Sequence, residues 1–218
     1  MEPEKRGGLW DRVEFFDTGK REITKVLGHL SSLGLVPTGT ALDFGCGVGR
    51  LTQALASHFS ECWGVDISPR MLQHARAFNR FPSTCHYVVN DAPDLKRFPD
   101  HRFNFIYSNI ALQHIPTRYS LAYLREFNRI LSPGGILAFQ IIDVSDSGVG
   151  TRLRFYGDRL RERAAIRTRL RGKTPVALYA VPEREVRAAL GTLEVIYVHA
   201  DELNKRYVAV SPGQGPTW

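Results

Sequence analysis

From residue 40 to residue 142, short apolar runs typical of β-strands alternate with longer segments of helical periodicity. The predicted strands are residues 40–44, 62–65, 86–89, 103–107 and 136–142, and the predicted helices between them are residues 51–59, 69–78 and 118–131. Strands that alternate with helices form βαβ units, in which the strands lie parallel and the helices cover the sheet. The sequence therefore predicts an α/β fold with a doubly wound, mostly parallel sheet that binds ligands beyond the carboxyl ends of its strands.

Further elements flank this alternating region. A helix is predicted over residues 19–35, where apolar residues recur at helical spacing and Gly34 provides a stop. After the alternating region, a helix is predicted over residues 183–190 and strands over residues 193–198 and 206–210. These additions extend the α/β pattern on both sides without changing the fold class.

The composition indicates one globular domain over residues 1–218, since 43% of the residues are hydrophobic and 23% are charged. The start of the chain has no apolar stretch, and no apolar run approaches the roughly 20 residues needed to cross a bilayer, so we expect neither a secretory signal nor a membrane span. The three cysteines, Cys46, Cys62 and Cys85, form no CxxC pair, which argues against a disulfide framework or a zinc site. We therefore expect a cytoplasmic protein.

The net charge of +7 is concentrated in one segment. Residues 151–173 hold nine basic and two acidic side chains, so the rest of the chain is formally neutral. Apolar residues at helical spacing within residues 152–171 predict an amphipathic, arginine-rich helix. Three interpretations stay open: a solvated surface helix, a site for an acidic small molecule or glycan, and a surface for RNA or an anionic membrane.

A glycine-rich turn joins the first predicted strand to the next helix. Residues 43–50 read DFGCGVGR, and the three glycines allow a tight turn and close approach of a ligand to the backbone. A dinucleotide-binding GxGxxG loop would place its third glycine at Arg50, and a P-loop would need a following Gly-Lys-Ser/Thr. Asp43 would repel a pyrophosphate but can accept hydrogen bonds from an ammonium group. A turn that binds no ligand is the alternative.

The run ALDFGCGVG at residues 41–49 resembles motif I of the class I methyltransferases that use S-adenosylmethionine (SAM). In that family the loop cradles the methionine part of SAM. The resemblance therefore implies cofactor contacts from Asp43, Gly45, Cys46 and Gly47.

The run GVDISP at residues 64–69 is similar to motif II of the same family. Asp66 ends the second predicted strand, where a carboxylate can accept both hydroxyls of a ribose. The resemblance also implies that Ile67 and Met71 pack beside the adenosine. The alternative for Asp66 is an ordinary residue at a helix N-terminus.

Three later stretches extend the resemblance. Asn90, Asp91 and Ala92 follow the third predicted strand, at the family position that meets the adenine, although Asn-Asp is also common in plain turns. Residues 108–116, which read SNIALQHIP, and residues 131–135 look like later motifs, and Asn109 is included among the implied cofactor contacts.

The resemblance is close over residues 40–142 and implies a Rossmann-like, seven-stranded sheet with an antiparallel last strand and SAM as the cofactor. The implied organisation is a helical lid at residues 1–35, a SAM-binding core at 40–142 and an arginine-rich insert at 151–180 that caps the acceptor site. Either Trp10 or Phe15 in the lid is a candidate for ligand contact.

Methyl transfer from a sulfonium is an in-line displacement, so the protein mainly aligns the acceptor and excludes water. A hydroxyl acceptor benefits from a general base, and His114, just past the fourth predicted strand, is the candidate catalytic residue. A histidine that only orders its loop is the alternative. No carboxylate cluster suggests a metal, so none is predicted.

Motifs that the sequence lacks narrow the range of acceptors. The sequence after strand four lacks the Asn/Asp-Pro-Pro-Tyr/Phe motif of amino-group DNA methyltransferases, and none of the cysteines is placed like the nucleophile of pyrimidine C5 enzymes. The resulting hypothesis is methyl transfer to an oxygen or nitrogen of a small or glycan-like molecule, with acidic molecules included. The alternatives are an RNA methyltransferase that uses the arginine-rich segment and a non-catalytic SAM-binding protein.

Overall fold

The computed structural model describes residues 11–145, 148–153, 155, 157, 177–201 and 203–213. The chain divides into two compact units. The first contains the chain up to Asp91 together with Phe103–Tyr107, and the second contains Ala92–Arg102 and the chain from Ser108 onward. The two units are described in turn below.

The strands of the first unit are parallel, as the alternating pattern predicts. They are β1 (Thr40–Phe44), β2 (Glu61–Asp66), β3 (Cys85–Val89) and β4 (Phe103–Ser108). Strand β1 lies between β2 and β4, and β3 pairs with the outer edge of β2. Four of the five residues of β1 are buried, because helices cover a strand of this kind on both faces.

Three helices belong to this unit: α1 (Arg12–Ser32), α2 (Arg50–Leu55) and α3 (Pro69–Ala77). Helix α3 begins where the sequence predicts, with Ser68 as N-cap and a proline in the first turn. Helix α2 ends at Leu55 rather than at residue 59, and its N-cap is Gly49 in a left-handed conformation.

The predicted start of α1 at residue 19 is wrong, because the helix begins seven residues earlier. The carboxylate of Asp11 accepts hydrogen bonds from the amides of Val13 and Glu14, at 2.8 and 3.2 Å, and so caps the helix. Gly19 lies inside α1, where a Cβ atom would come within 2.6 Å of the carbonyl oxygen of Arg50. The glycine therefore permits close packing of α1 on α2 and does not mark a helix end.

The second unit contains α4 (Thr117–Ile130), β5 (Leu131–Ile142), α5 (Glu183–Leu190), β6 (Glu194–Asp201) and β7 (Asn204–Val210). Strand β5 begins five residues before the predicted start at residue 136, and Leu131 already has an extended backbone with φ −77° and ψ 130°. Strand β7 runs antiparallel to both β5 and β6.

The strands form a seven-stranded sheet in the order β3-β2-β1-β4-β5-β7-β6. This order confirms the doubly wound, mostly parallel sheet and the antiparallel last strand. In the part of the chain that the structure describes, no helix is long and apolar enough to cross a membrane. Most of the arginine-rich segment, including residues 158–173, and also Trp10 lie outside the described residues.

Candidate functional site

The glycine loop after β1 is bonded to the end of β2. The amides of Gly45 and Cys46 donate to the carbonyl oxygen of Val65 at 2.8 and 3.0 Å, and the amide of Gly47 donates to Oδ2 of Asp66 at 2.8 Å. Gly45 and Gly47 have φ of 79° and 55°, values that residues with a side chain rarely adopt. Among the described residues, no atom would lie within 4 Å of a Cβ on Gly47, so they leave this side of the loop open.

Asp66 connects the glycine loop to helix α3. Its Oδ2 binds the loop through Gly47, and its Oδ1 accepts the amide of Ser68 at 2.8 Å. Each carboxylate oxygen has two lone pairs, so both can accept a further hydrogen bond from a ligand. The carboxylate is thus held in a fixed orientation with acceptor capacity to spare.

Apolar side chains stand exposed beside this carboxylate. Ile67 is 71% exposed and Met71 is 45% exposed. Asn90, at the end of β3, is buried, and its amide donates to the carbonyl oxygen of Asp66 at 3.0 Å, while Asp91 is exposed. The first unit therefore brings together the predicted residues from the ends of β1, β2 and β3.

Asp43 lies deeper than the rest of this group, with 1% of its surface exposed. Its Oδ2 accepts the hydroxyl of Thr52 at 2.7 Å. Burial raises the pKa of Asp43 to about 7, and the Thr52 hydrogen bond opposes that rise only in part. The predicted contact of Asp43 with an ammonium group stays a prediction.

The raised pKa makes the folded state sensitive to pH. The ordinary value for this group is 3.8, so between about pH 4 and pH 7 the folded chain holds a proton that the unfolded chain has released. Stability from this group therefore falls as the pH rises through that window. We expect Asp43→Asn, which cannot ionise, to reduce the loss of melting temperature between pH 5 and pH 8.5, measured by thermal unfolding.

Asp17→Asn is the control for this experiment. Asp17 is exposed, and its bond to Lys20 lowers its pKa, so the carboxylate is slightly stabilising above pH 4. Its removal should leave the alkaline slope of the melting temperature unchanged. An Asp43→Asn slope equal to that of the wild type would mean that Asp43 is ionised in the folded protein.

Sequence reasoning missed a polar bridge that holds α1. Glu22 accepts the hydroxyl of Tyr107 on Oε1 at 3.0 Å and the Nη2 of Arg50 on Oε2 at 2.9 Å. The Nη1 of Arg50 donates to Thr18 at 3.3 Å, and its guanidinium lies over the ring of Phe15 at 5.8 Å. The arginine that replaces the third glycine of a dinucleotide loop therefore fastens α1 beside the glycine turn. The position of Arg50 directly after Gly49 was the sequence signal that could have pointed to this role.

The remaining predicted cofactor residues belong to the second unit. The carbonyl oxygen of Ala92 accepts the hydroxyl of Tyr123 at 2.6 Å, which fixes the turn after β3. Asn109 is half-buried directly after β4. The next residue, Ile110, has φ 65° although it is β-branched, a strained conformation that costs about 1–3 kcal/mol and often marks functional sites.

His114 ends a short 3₁₀ turn, Leu112–His114, and is exposed. Its Nδ1 lies 3.3 Å from the carbonyl oxygen of Ala177, and its Nε2 lies 3.3 Å from Nε2 of Gln113. A carbonyl oxygen only accepts, so the bonding assigns the proton to Nδ1 and leaves a lone pair on Nε2. The arrangement suits an imidazole that takes a proton at Nε2.

Gln113 is oriented in turn by buried polar groups. The Nε2 of Gln140 donates to Oε1 of Gln113 at 3.3 Å and to Oδ1 of Asn204 at 3.0 Å. The amide of Tyr179 donates to the carbonyl oxygen of Gln113 at 2.8 Å. The segment that carries His114 is therefore fixed from both its main chain and its side chains.

The described residues offer neither a metal-binding cluster nor an exposed thiol. No group of three or more His, Cys, Asp or Glu side chains among the described residues could hold a metal ion. Cys46, Cys62 and Cys85 are free and buried, and burial raises the pKa of each thiol, to about 12 for Cys85. A thiolate nucleophile is disfavoured under these conditions.

Comparison with protein families gives one match, described as a methyltransferase domain, over residues 42–139. The matched region begins in β1 and ends in β5, and it includes the glycine loop, Asp66 and His114.

Two curated relatives illustrate the similarity. A 2-methyl-6-phytyl-1,4-hydroquinone methyltransferase from Synechocystis sp. is 32% identical over 124 residues, which cover 56% of this chain and 38% of the relative. A trans-aconitate 2-methyltransferase from Enterobacter sp. is 31% identical over 139 residues, which cover 63% of this chain and 52% of the relative. The chain thus spans about half or less of the length of these two relatives.

Two solved structures share the fold. Magnesium protoporphyrin IX methyltransferase from Synechocystis, with bound SAH, has a TM-score of 0.61 and 19% identity, with coverage of 94% of this chain and 90% of that one. A SAM-dependent methyltransferase from Methanosarcina mazei has a TM-score of 0.61 and 20% identity, with coverage of 80% and 93%. At these identities the likeness establishes the fold alone.

Proposed function

We propose that this chain is a class I SAM-dependent methyltransferase that transfers a methyl group from SAM to an oxygen or nitrogen of a small-molecule acceptor, and the match to a methyltransferase domain over residues 42–139 supports this proposal. The observation that carries the proposal is the carboxylate of Asp66, which is bonded to the glycine loop through Gly47 and to the start of α3 through Ser68. A carboxylate held in this way can accept two ribose hydroxyls.

The residues around Asp66 fit the parts of the cofactor. The open side of Gly47 would admit the methionine portion close to the backbone, with Gly45 and Cys46 in the same turn. Ile67 and Met71 offer exposed apolar surface to the adenosine, which would gain about 25 cal/mol for each Å² that it covers. Removing this surface from water favours binding of a nucleoside whose flat base can stack against apolar side chains.

The polar residues after β3 and β4 complete the proposed cofactor contacts. Asn90, Asp91 and Ala92 would contact the adenine, and Asn109 would contact the cofactor from the turn after β4. Asp43 would accept a hydrogen bond from the ammonium group of the methionine. Helix α1 would act as the lid, and its fastening to Arg50 through Glu22 supports that role because it ties the helix to the glycine turn.

Bound SAM supplies an electrophilic methyl group on a sulfonium, and the protein's residues do the rest. A hydroxyl acceptor would donate its proton to Nε2 of His114 as the oxygen attacks. The bond from Gln113 to this nitrogen is long, at 3.3 Å, so an acceptor hydroxyl can replace it. An amine acceptor that is already neutral would need only placement.

The relatives favour a small molecule as the acceptor. Those named above act on a hydroquinone and on trans-aconitate, and both substrates are small molecules. The arginine-rich insert would cap the acceptor site, although the residues that carry most of its charge lie outside the described part of the chain.

Calorimetry and a labelled-methyl assay test the proposal together. We expect SAM to bind the folded protein with a dissociation constant on the order of micromolar. Label from SAM should then appear in a small molecule from a panel of phenols, quinols, carboxylic acids and amines, with total RNA as a separate arm. Absence of SAM binding to folded protein would contradict the family function, and label in RNA alone would contradict the acceptor class. Binding without transfer to any acceptor would indicate a non-catalytic SAM-binding protein.

A further inference from the structure

An open cavity of about 530 Å³ lies in the second unit, beyond the carboxyl end of β5. Its lining includes Asp143, Val144 and Ser145, which directly follow β5, and Ala180, which pairs with the last residue of that strand. Small-molecule sites commonly have volumes of about 300–1,000 Å³ and lie at this end of parallel strands. The cavity therefore has the size and the position of a ligand site.

Asp143, an acidic side chain in the lining, already has several partners within the protein. Asp143 is 4% exposed, and its Oδ1 accepts the amide of Ser145 at 2.7 Å. Its Oδ2 accepts the amide of Glu183 at 2.9 Å and lies 3.1 Å from Nζ of the buried Lys205. The charge of Asp143 is therefore offset by Lys205, and the carboxylate offers little to a cationic ligand.

The second acidic side chain in the lining, Glu183, is neutralised in the same way. Its Oε2 is paired with Nζ of Lys205 at 2.9 Å, and its Oε1 is paired with Nε of Arg187 at 2.8 Å. These bonds hold the pKa of Glu183 below its usual range. Two carboxylates are therefore balanced by two cations, and the group adds no net charge to the cavity.

Two further cations line the cavity, Arg152 and Arg184. Neither has an acidic partner among the residues that the structure describes. A guanidinium presents a planar set of donors that matches a carboxylate, and two of them can hold two such groups on one ligand. Among the described residues of the lining, the charge that remains for a ligand to meet is positive.

Apolar groups line the cavity beside these donors. Val144 is buried in a cluster with Ile142 and Phe155, and Ala180 packs against that cluster. Pro182 adds a third apolar group to the lining. The cavity therefore combines two unbalanced arginines with a wall suited to a carbon skeleton.

We propose that this cavity binds the carboxylate groups of a small organic acid, with Arg152 and Arg184 as the residues that select for negative charge. The identification of this acid with the methyl acceptor rests on the proposed function, whereas the anion site itself does not. Transfer would then favour acceptors that carry at least one carboxylate, and their carbon skeleton would lie against Val144 and Ala180.

Citrate is a suitable probe, with its uncharged triester triethyl citrate as the matched ligand. Isothermal titration calorimetry on the full chain at pH 7 and 0.15 M salt should detect citrate and not triethyl citrate. Inorganic phosphate forms a third arm, because arginines also bind phosphate. We expect phosphate to bind at least tenfold more weakly than citrate, since it has no carbon skeleton for the apolar wall.

The double variant Arg152→Gln/Arg184→Gln should weaken citrate binding at least tenfold. Arg125→Gln/Arg206→Gln is the matched control, since it removes the same charge from exposed positions of the second unit outside the cavity, and it should bind citrate within twofold of the wild type. Melting temperatures would establish that both variants fold. If the double variant does not fold, citrate binding is measured instead with the single variants Arg152→Gln and Arg184→Gln.

Three results would overturn the proposal: no citrate binding to the wild type at millimolar concentration, equal losses in the cavity and control variants, or equal binding of citrate and its triester. SAM binding, measured in parallel, separates this failure from a failure of the proposed function. If SAM still binds and citrate does not, only the proposed anion site is rejected. If citrate binds and SAM does not, only the methyltransferase proposal is rejected.

Discussion

Replacing His114 with alanine is expected to lower kcat by about 10²–10⁴-fold, the usual contribution of a positioned general base. The expectation applies to a hydroxyl acceptor and rests on the bond from Nδ1 of His114 to the carbonyl oxygen of Ala177, which leaves Nε2 as the basic atom. SAM affinity should change little, because the proposed contact of His114 is with the acceptor. The measurement is kcat at saturating SAM, with the SAM dissociation constant from calorimetry.

The pH–rate profile distinguishes a base from a structural histidine. A general base must be unprotonated to accept a proton, so the wild-type rate should rise with pH on the acidic side of the profile, and this limb should be absent from His114→Ala. His199→Ala is the control, because His199 is exposed on β6 and should leave both kcat and the limb unchanged.

A structural role for His114 would give a different pattern. The variant would then melt at a lower temperature or bind SAM more weakly, and it would keep the pH limb. Near-equal kcat values and the same limb in both proteins would remove His114 from catalysis and leave the methyltransferase proposal intact.

Asp66→Ala is expected to weaken SAM binding by about 1–3 kcal/mol, or roughly 5- to 150-fold, because the ribose hydroxyls lose their acceptor. The same carboxylate accepts the amide of Gly47, so the glycine loop also loses a bond that orders it. Calorimetry with SAM measures the effect. Asp201→Ala, at an exposed carboxylate at the end of β6, is the control and should bind SAM normally.

Deoxyadenosines show whether Asp66 acts on the ribose itself. In the wild type, 2′-deoxyadenosine and 3′-deoxyadenosine should bind more weakly than adenosine, because each lacks one hydroxyl. In Asp66→Ala the three nucleosides should bind almost equally. If the deoxy penalty persists in the variant, another residue contacts the hydroxyls and Asp66 acts only on the loop.

Local sequence signals were sufficient to predict those elements whose bounds depend only on residues nearby in the sequence. Strand β1 and helix α5 have the predicted bounds, since each has a clear apolar pattern and a distinct boundary. The parallel strands and the glycine turn follow from the same kind of signal, because periodicity and turn chemistry depend on neighbours in sequence. The candidate residues from Asp43 to Asp91 could be chosen because the short motifs that contain them resemble those of a known family and lie near the ends of predicted strands.

Features that join distant parts of the chain could not be found in this way. Nothing around Glu22 indicates that it accepts a hydrogen bond from Tyr107, 85 positions away. Gly19 resembles a helix start, and only its contact with the carbonyl oxygen of Arg50 explains a glycine inside α1. Likewise, the left-handed backbone of Ile110 has no signal in its residue type.

The sequence by itself determined the α/β class, the family resemblance and the turn in which a cofactor would lie, because these depend on periodicity and short spacings. Only the tertiary structure decided which nitrogen of His114 is basic, how deeply Asp43 is buried, and which arginines of the cavity lack an acidic partner among the described residues. The physical reason is that tautomer, desolvation and charge balance depend on atoms from several elements at once, such as Lys205 between Asp143 and Glu183.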